Sequence, residues 1–104
     1  MYNGWRYSKT LISEEVQMFF KGLANEKRQE IILLFLNQNE VTVNQVAELI
    51  GIGQSTASEQ LSMLKRAGIL NSKREGKEVF YSPNKNNIVR ILQDINSILM
   101  KCCN

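Results

Sequence analysis

The chain has 104 residues, 43% of them hydrophobic, which allows one domain with a core large enough to fold without disulfide bonds. Its 13 Lys and Arg against 10 Asp and Glu give a net charge of +3, which suits a polyanionic partner without requiring one. No apolar run approaches the roughly 20 residues that span a bilayer, and the start lacks the pattern of a secretory signal, so we expect a cytoplasmic protein.

The first predicted segment is an N-terminal arm. Residues 1–12 follow neither a helical nor a strand period, so Trp5 and Tyr7 are ordered only if another part of the protein covers them. Residues 13–104 become periodic and contain no repeat, low-complexity tract or linker. We therefore predict an arm followed by a single domain.

Two helices are predicted at the start of the domain. Ser13, followed by two acidic residues, is a suitable N-cap for the first helix. Its apolar stripe consists of Val16, Phe19, Phe20 and Leu23. Asn25 is a suitable N-cap for a second helix over residues 26–37, which we expect at the centre of the fold because it is too apolar for a surface. Its apolar side chains are Ile31, Ile32, Leu34, Phe35 and Leu36.

Two further helices are predicted around a glycine-containing turn. Thr42 and Gln45 fit a capping box at the start of the third helix, and Gly51 is expected to end it. The fourth helix is predicted to begin at position 54 or 55 and to run towards Gly68, with apolar residues three or four positions apart.

A hairpin and a last helix complete the predicted fold. After residue 68 the apolar period changes to two, which predicts strands on both sides of a tight turn at Glu75 and Gly76. Pro83 separates this hairpin from a helix with a long apolar stripe. The predicted fold is mainly α with a β-hairpin: a winged helix-turn-helix with about five helices and a two-stranded wing.

The third and fourth helices and the hairpin have the features of a DNA-binding unit. The second helix of a helix-turn-helix enters the major groove with its N-terminus first, which requires short or amide-bearing side chains there. Glutamine can pair with adenine, hydroxyl groups can hold phosphates, and basic residues can contact flanking phosphates. The predicted DNA-binding residues are Thr42, Gln54, Ser55, Thr56, Ser58, Gln60, Lys65, Arg66, Lys73, Arg74 and Lys77.

The basic hairpin has a second interpretation. Lys73, Arg74 and Lys77 alternate with Glu75 and Glu78, and charged residues on an edge strand also prevent aggregation. The position of the hairpin directly after the polar helix favours DNA binding, with the hairpin in reach of a neighbouring groove.

Four segments carry a resemblance to a known family. They are residues 22–28 (GLANEKR), 54–61 (QSTASEQL), 64–70 (LKRAGIL) and 74–82 (REGKEVFYS). In their order and spacing they resemble the ArsR/SmtB family of winged-helix repressors over residues 20–99. The resemblance implies a transcriptional repressor that binds an inverted-repeat operator in double-stranded DNA as a homodimer. One departure is Gln60, which stands where the family usually has histidine, so the base preference does not carry over.

The resemblance also implies that the first and last helices form the dimer interface. Both carry apolar stripes without an obvious partner within the chain, which agrees with this arrangement. The predicted interface residues are Val16, Phe19, Phe20, Ile88, Ile91, Leu92, Ile95 and Leu99.

Metal sensing through the ligand sets of this family is not expected. The resemblance puts the thiol-type ligand positions on Thr42 and Asn44, and neither is a soft ligand. It puts the zinc-type positions on Lys85, Asn87, Ile98 and Lys101. Because the chain also has no histidine, we expect no metal site and no cofactor.

The two cysteines leave the regulation open. Cys102 and Cys103 are adjacent, so they cannot form the disulfide framework of a small secreted domain. Cys102 continues the stripe of the last helix, which is consistent with an inert thiol buried at the dimer edge. Alternatively, the pair reacts with a thiophilic or oxidising effector and loosens the dimer, or the protein has no small-molecule inducer.

Two other classes of function are alternatives to DNA binding. A winged helix that contacts another protein instead of DNA is the alternative, because a fold does not determine its function. An enzyme is not expected, since the chain lacks histidine and its cysteines have no neighbouring general base. Glu14 and Glu15 are better explained as favouring a helix start.

Overall fold

The computed structural model describes residues 12–102, and within them the chain forms five helices and three strands. In chain order they are α1 (Glu14–Leu23), α2 (Glu26–Leu34), β1 (Val41–Thr42), α3 (Val43–Ile50), α4 (Gln54–Arg66), β2 (Leu70–Glu75), β3 (Glu78–Pro83) and α5 (Lys85–Cys102). The predicted winged helix-turn-helix is confirmed. Trp5 and Tyr7 of the arm, and Cys103, lie outside the described residues. None of these five helices is both long and apolar enough to cross a membrane.

Side-chain caps determine where α1 and α2 begin. Ser13 Oγ accepts a hydrogen bond from the N–H of Val16 at 3.2 Å, and Asn25 Oδ1 accepts one from the N–H of Arg28 at 3.1 Å. Each bond satisfies one of the N–H groups that a helix start leaves without a partner. Both predicted N-caps are therefore confirmed.

The predicted end of α2 is wrong by one turn. The helix ends at Leu34, and the N–H groups of Phe35, Leu36 and Asn37 each bond to a carbonyl three residues earlier at 3.1 Å. These bonds tighten the chain into a turn that a continuing α-helix would not make. Leu36 consequently lies on the surface, 79% exposed, whereas Ile31 is fully buried as expected.

The sheet contains one strand more than the sequence predicts. β1, β3 and β2 lie side by side in this order and are antiparallel, with Val41 opposite Tyr81 and Leu70 opposite Pro83. A strand of two residues such as β1 is too short to show the alternating pattern by which strands are recognised. Because β1 directly precedes α3, its pairing with β3 attaches the wing to the helix-turn-helix.

The wing turn consists of Gly76 and Lys77, because Glu75 pairs with Glu78. The predicted turn, Glu75 and Gly76, is one residue too early. Gly76 has a φ of 62°, in the left-handed region that two-residue hairpin turns require and that glycine adopts at no steric cost. The correction places Lys77 at the tip of the wing.

The core surrounds the inner face of α4. Leu61 and Leu64 of α4 and Ile91 of α5 are among the largest fully buried side chains. Gly22 lets α1 approach α4 closely, since a β-carbon on it would lie 2.5 Å from Cβ of Ala67. α4 is therefore packed against the three helices that precede it, and its outer face is left to the surface.

Candidate nucleic-acid interface

A capping box at the start of α3 uses one of the predicted DNA-binding residues. Thr42 Oγ1 accepts from the N–H of Gln45 at 3.2 Å, and Gln45 Oε1 accepts from the N–H of Thr42 at 2.9 Å. The two bonds satisfy a pair of N–H groups and determine where α3 begins. Thr42 is 7% exposed, so its hydroxyl serves the cap and only a small part of the residue reaches the surface.

The turn between α3 and α4 leaves the start of α4 uncapped. Gly51 ends α3 with a φ of 76°, as the sequence predicts. Gly53 is the N-cap of α4 and offers no side chain to the N–H groups of the first turn. Those N–H groups stay available to an outside acceptor such as a phosphate oxygen, which the helix dipole also favours.

α4 presents an apolar face to the core and a polar surface at its N-terminal half. Ala57, Leu61 and Leu64 are fully buried, and their spacing of three or four residues puts them on one face. Four predicted DNA-binding residues are exposed together in the first two turns: Gln54, Ser55, Thr56 and Ser58.

Gln60 is already bonded within the protein. Its Oε1 accepts a 2.8 Å hydrogen bond from Nη1 of Arg28 in α2. The same guanidinium donates to the carbonyls of Gly22 and Lys21, each at 2.8 Å, and so joins the end of α1 to α4. Gln60 can therefore offer the N–H groups of its amide to an outside partner. Sequence reasoning missed Arg28, because no local pattern indicates a contact between residues 32 positions apart.

The cations of the wing are exposed but differ in their neighbours. The Nζ atom of Lys73 lies 3.9 Å from Oε1 of Glu40 and 3.8 Å from Oε2 of Glu75. Within the part of the chain that the structure describes, Arg74 and Lys77 have no such ion pair. Among the described residues, Arg74 and Lys77 are therefore the wing cations that have no carboxylate oxygen within 4.0 Å.

The wing tip and the helix-turn-helix border a common cleft. The cleft has a volume of about 220 Å³ and is lined by Thr42, Val43, Asn44, Gln54, Lys77, Glu78 and Val79. Lys77 of the wing and Gln54 of α4 thus face the same space. Asn44, exposed in the first turn of α3, was not among the predicted DNA-binding residues. Its polar side chain at a helix start is a signal that could have suggested it.

Lys65 and Arg66 lie away from this cleft. They end α4, and the helical rise of 1.5 Å per residue puts Arg66 about 18 Å from Gln54. Arg66 instead lines a second cleft with Glu14, Glu15 and other residues of α1 and α5. The structure therefore separates these two predicted DNA-binding residues from the others.

The apolar surface of α1 and α5 is narrower than the sequence suggests. Val16, Phe19 and Ile91 are buried in the core of the same protomer, which corrects the expectation that these stripes lack a partner within the chain. Ile88 and Ile95 are half-buried against the core. The exposed apolar residues on the two helices are Phe20, Leu92 and Leu99, together with Val89 and Met100, which were not predicted.

An ion pair joins α1 to α5. Both terminal nitrogens of Arg90 donate to the carboxylate of Glu15, one of them at 3.2 Å. The hydrogen bond from Arg90 holds the pKa of Glu15 below its ordinary value of 4.5, and the carboxylate raises the pKa of Arg90. The two helices that carry the exposed apolar residues are thus tied together on one side.

The end of α5 carries the one cysteine that the structure describes. Cys102 is exposed, and its thiol donates to the carbonyl of Leu99 with a distance of 3.5 Å between Sγ and the oxygen. Between residues 12 and 102, no three His, Cys, Asp or Glu side chains form a group that could hold a metal ion.

Comparison with known proteins finds transcriptional regulators by sequence and a winged helix-turn-helix DNA-binding domain by structure. The sequence model for bacterial regulatory proteins of the arsR family matches residues 25–72. The transcriptional activator HlyU of Vibrio cholerae is 33% identical over 67% of this chain, which spans 64% of the length of HlyU. A biofilm growth-associated repressor of Agrobacterium fabrum is 32% identical over 81% of this chain and 71% of its own length. The homodimeric winged helix-turn-helix DNA-binding domain Mb0332 of Mycobacterium bovis is 28% identical, with a TM-score of 0.66 over 88% of this chain and 83% of that one.

Proposed function

We propose that this chain, which belongs to the arsR family of bacterial regulatory proteins, is a repressor that binds an inverted-repeat operator in duplex DNA as a homodimer. The observation that carries the proposal is the common cleft of Gln54 and Lys77 beside the uncapped start of α4. A polar helix start inserts into a major groove, and a cation at a wing tip contacts the phosphate backbone beside it. One surface thus combines base contacts with phosphate contacts.

The first two turns of α4 read the bases in this proposal. Gln54 can pair with adenine through both groups of its amide, and the hydroxyls of Ser55, Thr56 and Ser58 reach bases or phosphates. All four side chains are exposed and point away from the core of the protomer. Gln60 contributes only through its N–H groups, since Arg28 occupies its carbonyl oxygen.

Phosphate contacts come mainly from the wing in this proposal. Lys77 and Arg74 are exposed and have no carboxylate partner in the described part of the chain. Lys73 contributes less, because a phosphate must compete with Glu40 and Glu75 for its ammonium group. Lys65 and Arg66, at the far end of α4, contact at most the outermost phosphates.

A second copy of the chain covers the exposed apolar residues of α1 and α5. Phe20 and Leu99 border an apolar groove between these helices, and Leu92 is exposed about two turns before Leu99 in α5. The homodimeric state of the Mycobacterium bovis relative supports this assembly. A two-fold dimer presents its two α4 helices to successive major grooves, about 34 Å apart, which requires an inverted repeat.

Repression follows from occupancy of the operator. A dimer that covers two major grooves and the backbone beside them excludes polymerase from an overlapping promoter. One relative is named as a repressor and another as an activator, and an operator that overlaps the promoter corresponds to the first of these modes. The exposed thiol of Cys102 is accessible to a thiophilic or oxidising effector, which would weaken the adjacent dimer contacts.

The test is a selection of bound sequences from random duplex DNA, followed by titration of the best sequence at several salt concentrations. The protein is titrated with its thiols reduced, oxidised, and exposed to arsenite. An enriched inverted repeat whose affinity falls steeply with salt is expected. Release only after thiol treatment would indicate sensing, whereas no response would indicate structural cysteines. If no sequence is enriched, sequence-specific DNA binding is refuted and the protein-contact function is favoured.

A pair of variants tests the proposed surface. Ser58→Glu puts a negative charge on the exposed start of α4 and should abolish operator binding, because the carboxylate would face phosphates and base oxygens. Asn86→Glu puts the same charge on an exposed position of α5 and serves as the control. Equal operator affinity of the two variants would rule out the proposed docking.

A further inference from the structure

We infer that Asn87 is a positioning residue for α4, the helix proposed to read the bases. Its amide holds the C-terminal end of α4 at a defined angle to α1 and α5. The inference rests on the proposed function, because it concerns how the DNA-reading end of α4 is aimed. The contacts that support it connect three helices through four residues.

The first contact joins α5 to the end of α4. Nδ2 of Asn87 donates a 2.8 Å hydrogen bond to the carbonyl of Gly68. Gly68 follows the C-cap of α4, Ala67, and its own N–H bonds back to the carbonyl of Lys65 at 3.0 Å. The carbonyl of Gly68 therefore belongs to the turn in which the chain leaves α4. Because this turn is attached to the end of α4, the hydrogen bond from Asn87 restrains the orientation of the helix.

The amide of Asn87 occupies the space that a side chain on residue 68 would need. A β-carbon there would lie 2.4 Å from Nδ2 of Asn87, closer than two such atoms can approach. Gly68 also has a φ of 78°, a conformation that other residues rarely adopt. The conformation favours glycine here, and the absence of a β-carbon lets the amide of Asn87 reach the carbonyl of residue 68.

The second contact determines which way the amide faces. Nη2 of Arg90 donates to Oδ1 of Asn87 at 2.6 Å, so the oxygen of the amide is directed to Arg90 and its N–H group to Gly68. Arg90 is itself paired with Glu15 of α1. Glu15, Arg90 and Asn87 thus form a chain of polar contacts from α1 through α5 to the end of α4.

The hydrogen bond between Asn87 and Gly68 forms a joint at the C-terminal end of α4, and a small rotation there would displace the opposite, DNA-reading end. The start of α4 lies about 18 Å from its end, so a rotation of about 10° at the joint would move Gln54 by about 3 Å. A displacement of this size exceeds what a hydrogen bond to a base tolerates. Phosphate contacts made by flexible lysine and arginine side chains tolerate it better. Loss of the joint should therefore reduce discrimination between operator and random DNA more than it reduces general DNA affinity.

The test compares Asn87→Asp with Asn86→Asp in the full chain. Both variants add one negative charge to the first turn of α5, but Asn86 is exposed and makes none of these contacts among the described residues. Asp at position 87 keeps an acceptor for Arg90 and replaces the donor to Gly68 by an oxygen. Binding is measured to the operator obtained by selection and to a random duplex, together with the dimer dissociation constant and Tm.

We expect Asn87→Asp to lose at least about tenfold in operator affinity relative to Asn86→Asp, with equal affinities for random DNA and equal dimer dissociation constants. Arg90→Ala, which keeps the amide but frees its oxygen, should show a smaller loss of the same kind. Where Asn87→Asp is unfolded at the assay temperature, Asn87→Ala takes its place.

Other results would overturn the inference. A lower Tm for the Asn87 variant, with the operator-to-random ratio of Asn86→Asp, would show that the joint only stabilises the fold. An equal loss on both duplexes would exclude positioning as well. A parent protein that binds operator and random DNA equally would refute the proposed function itself. Since this result is measured on the parent protein without any variant, it is distinct from a failure of the inference about Asn87.

Discussion

Salt dependence of DNA binding should separate two lysines that the sequence treats alike. Lys77 stands at the wing tip on the proposed DNA cleft, whereas Lys73 lies within 4.0 Å of two carboxylates. We expect replacement of Lys77 by Gln to remove one phosphate contact per protomer. Each contact contributes about 0.9 to the slope of log affinity against log salt, so a dimer should lose about 1.8.

The size of the effect follows from that slope. Over a fourfold rise in salt, from about 50 to 200 mM, the parent should lose affinity about 12-fold more than Lys77→Gln does. Lys73→Gln should change the slope by less than half as much, because part of its charge is already balanced by Glu40 and Glu75. These ion pairs are exposed and worth about 1 kcal/mol at most, so they compete with a phosphate without excluding it.

Fluorescence anisotropy with a labelled operator at four salt concentrations measures these slopes. Glu40→Gln provides a further control, since it removes one competitor and should enlarge the effect of Lys73→Gln measured in its background. An unchanged slope for Lys77→Gln, or equal changes for both lysines, would refute the assignment of the wing tip to the phosphate backbone.

Three more outcomes are expected from the described contacts. Leu64→Ala should destabilise the fold by about 2–5 kcal/mol in urea unfolding, because Leu64 is fully buried, while Leu36→Ala should change stability by less than about 0.5 kcal/mol. Glu15 has a lowered pKa, so folding favours its ionised form; this contribution is present above pH 4.5 and is lost as the pH falls through the folded pKa. Tm should therefore fall more steeply between about pH 5 and pH 3 for the parent than for Glu15→Gln. Leu92→Lys should weaken the proposed dimer at least about 30-fold in sedimentation, because it puts a charge on the exposed apolar surface of α5 that a second copy would cover, whereas Leu36→Lys, which lies on neither α1 nor α5, should leave the dimer intact.

Local rules account for the parts of the fold that the sequence predicted. The caps at Ser13 and Asn25, the box at Thr42 and the left-handed Gly51 each depend on residues within four positions of one another. The neighbouring side chains alone decide whether such hydrogen bonds form. These features place the helix-turn-helix, and with it the exposed start of α4.

Where a feature depends on contacts between distant residues, the sequence-based prediction was wrong or missed the feature. β1 exists because Val41 and Thr42 pair with β3, about forty positions later, and two residues carry no period of their own. The apolar stripe of α1 predicts a buried face but does not say whether the protomer or a second copy buries it. Val16 and Phe19 face the protomer, whereas Phe20 stays exposed.

The polar contacts that hold α4 could not be predicted from spacing for the same reason. Arg28 reaches Gln60, and Asn87 reaches Gly68, only after three helices have packed. A sequence pattern reports which side chains can donate or accept, while the pairs are chosen by tertiary structure. The sequence around Gln60 therefore does not show that Arg28 occupies its carbonyl oxygen, and only the structure distinguishes it from the other polar residues of α4.

The distribution of these bonds along α4 separates folding from DNA reading. Its second half is held by buried apolar residues and by the contacts at positions 60 and 68, whereas its exposed side chains at positions 54, 55, 56 and 58 make no side-chain hydrogen bond within the described residues. Exposed positions without such contacts change stability by at most about 0.5 kcal/mol when they are substituted. Substitutions of these four exposed side chains should therefore alter the preferred operator at nearly constant Tm, while Gln60→Ala should lower operator affinity and Tm together. A Tm that falls as much for Thr56→Ala as for Gln60→Ala would contradict this division of the helix.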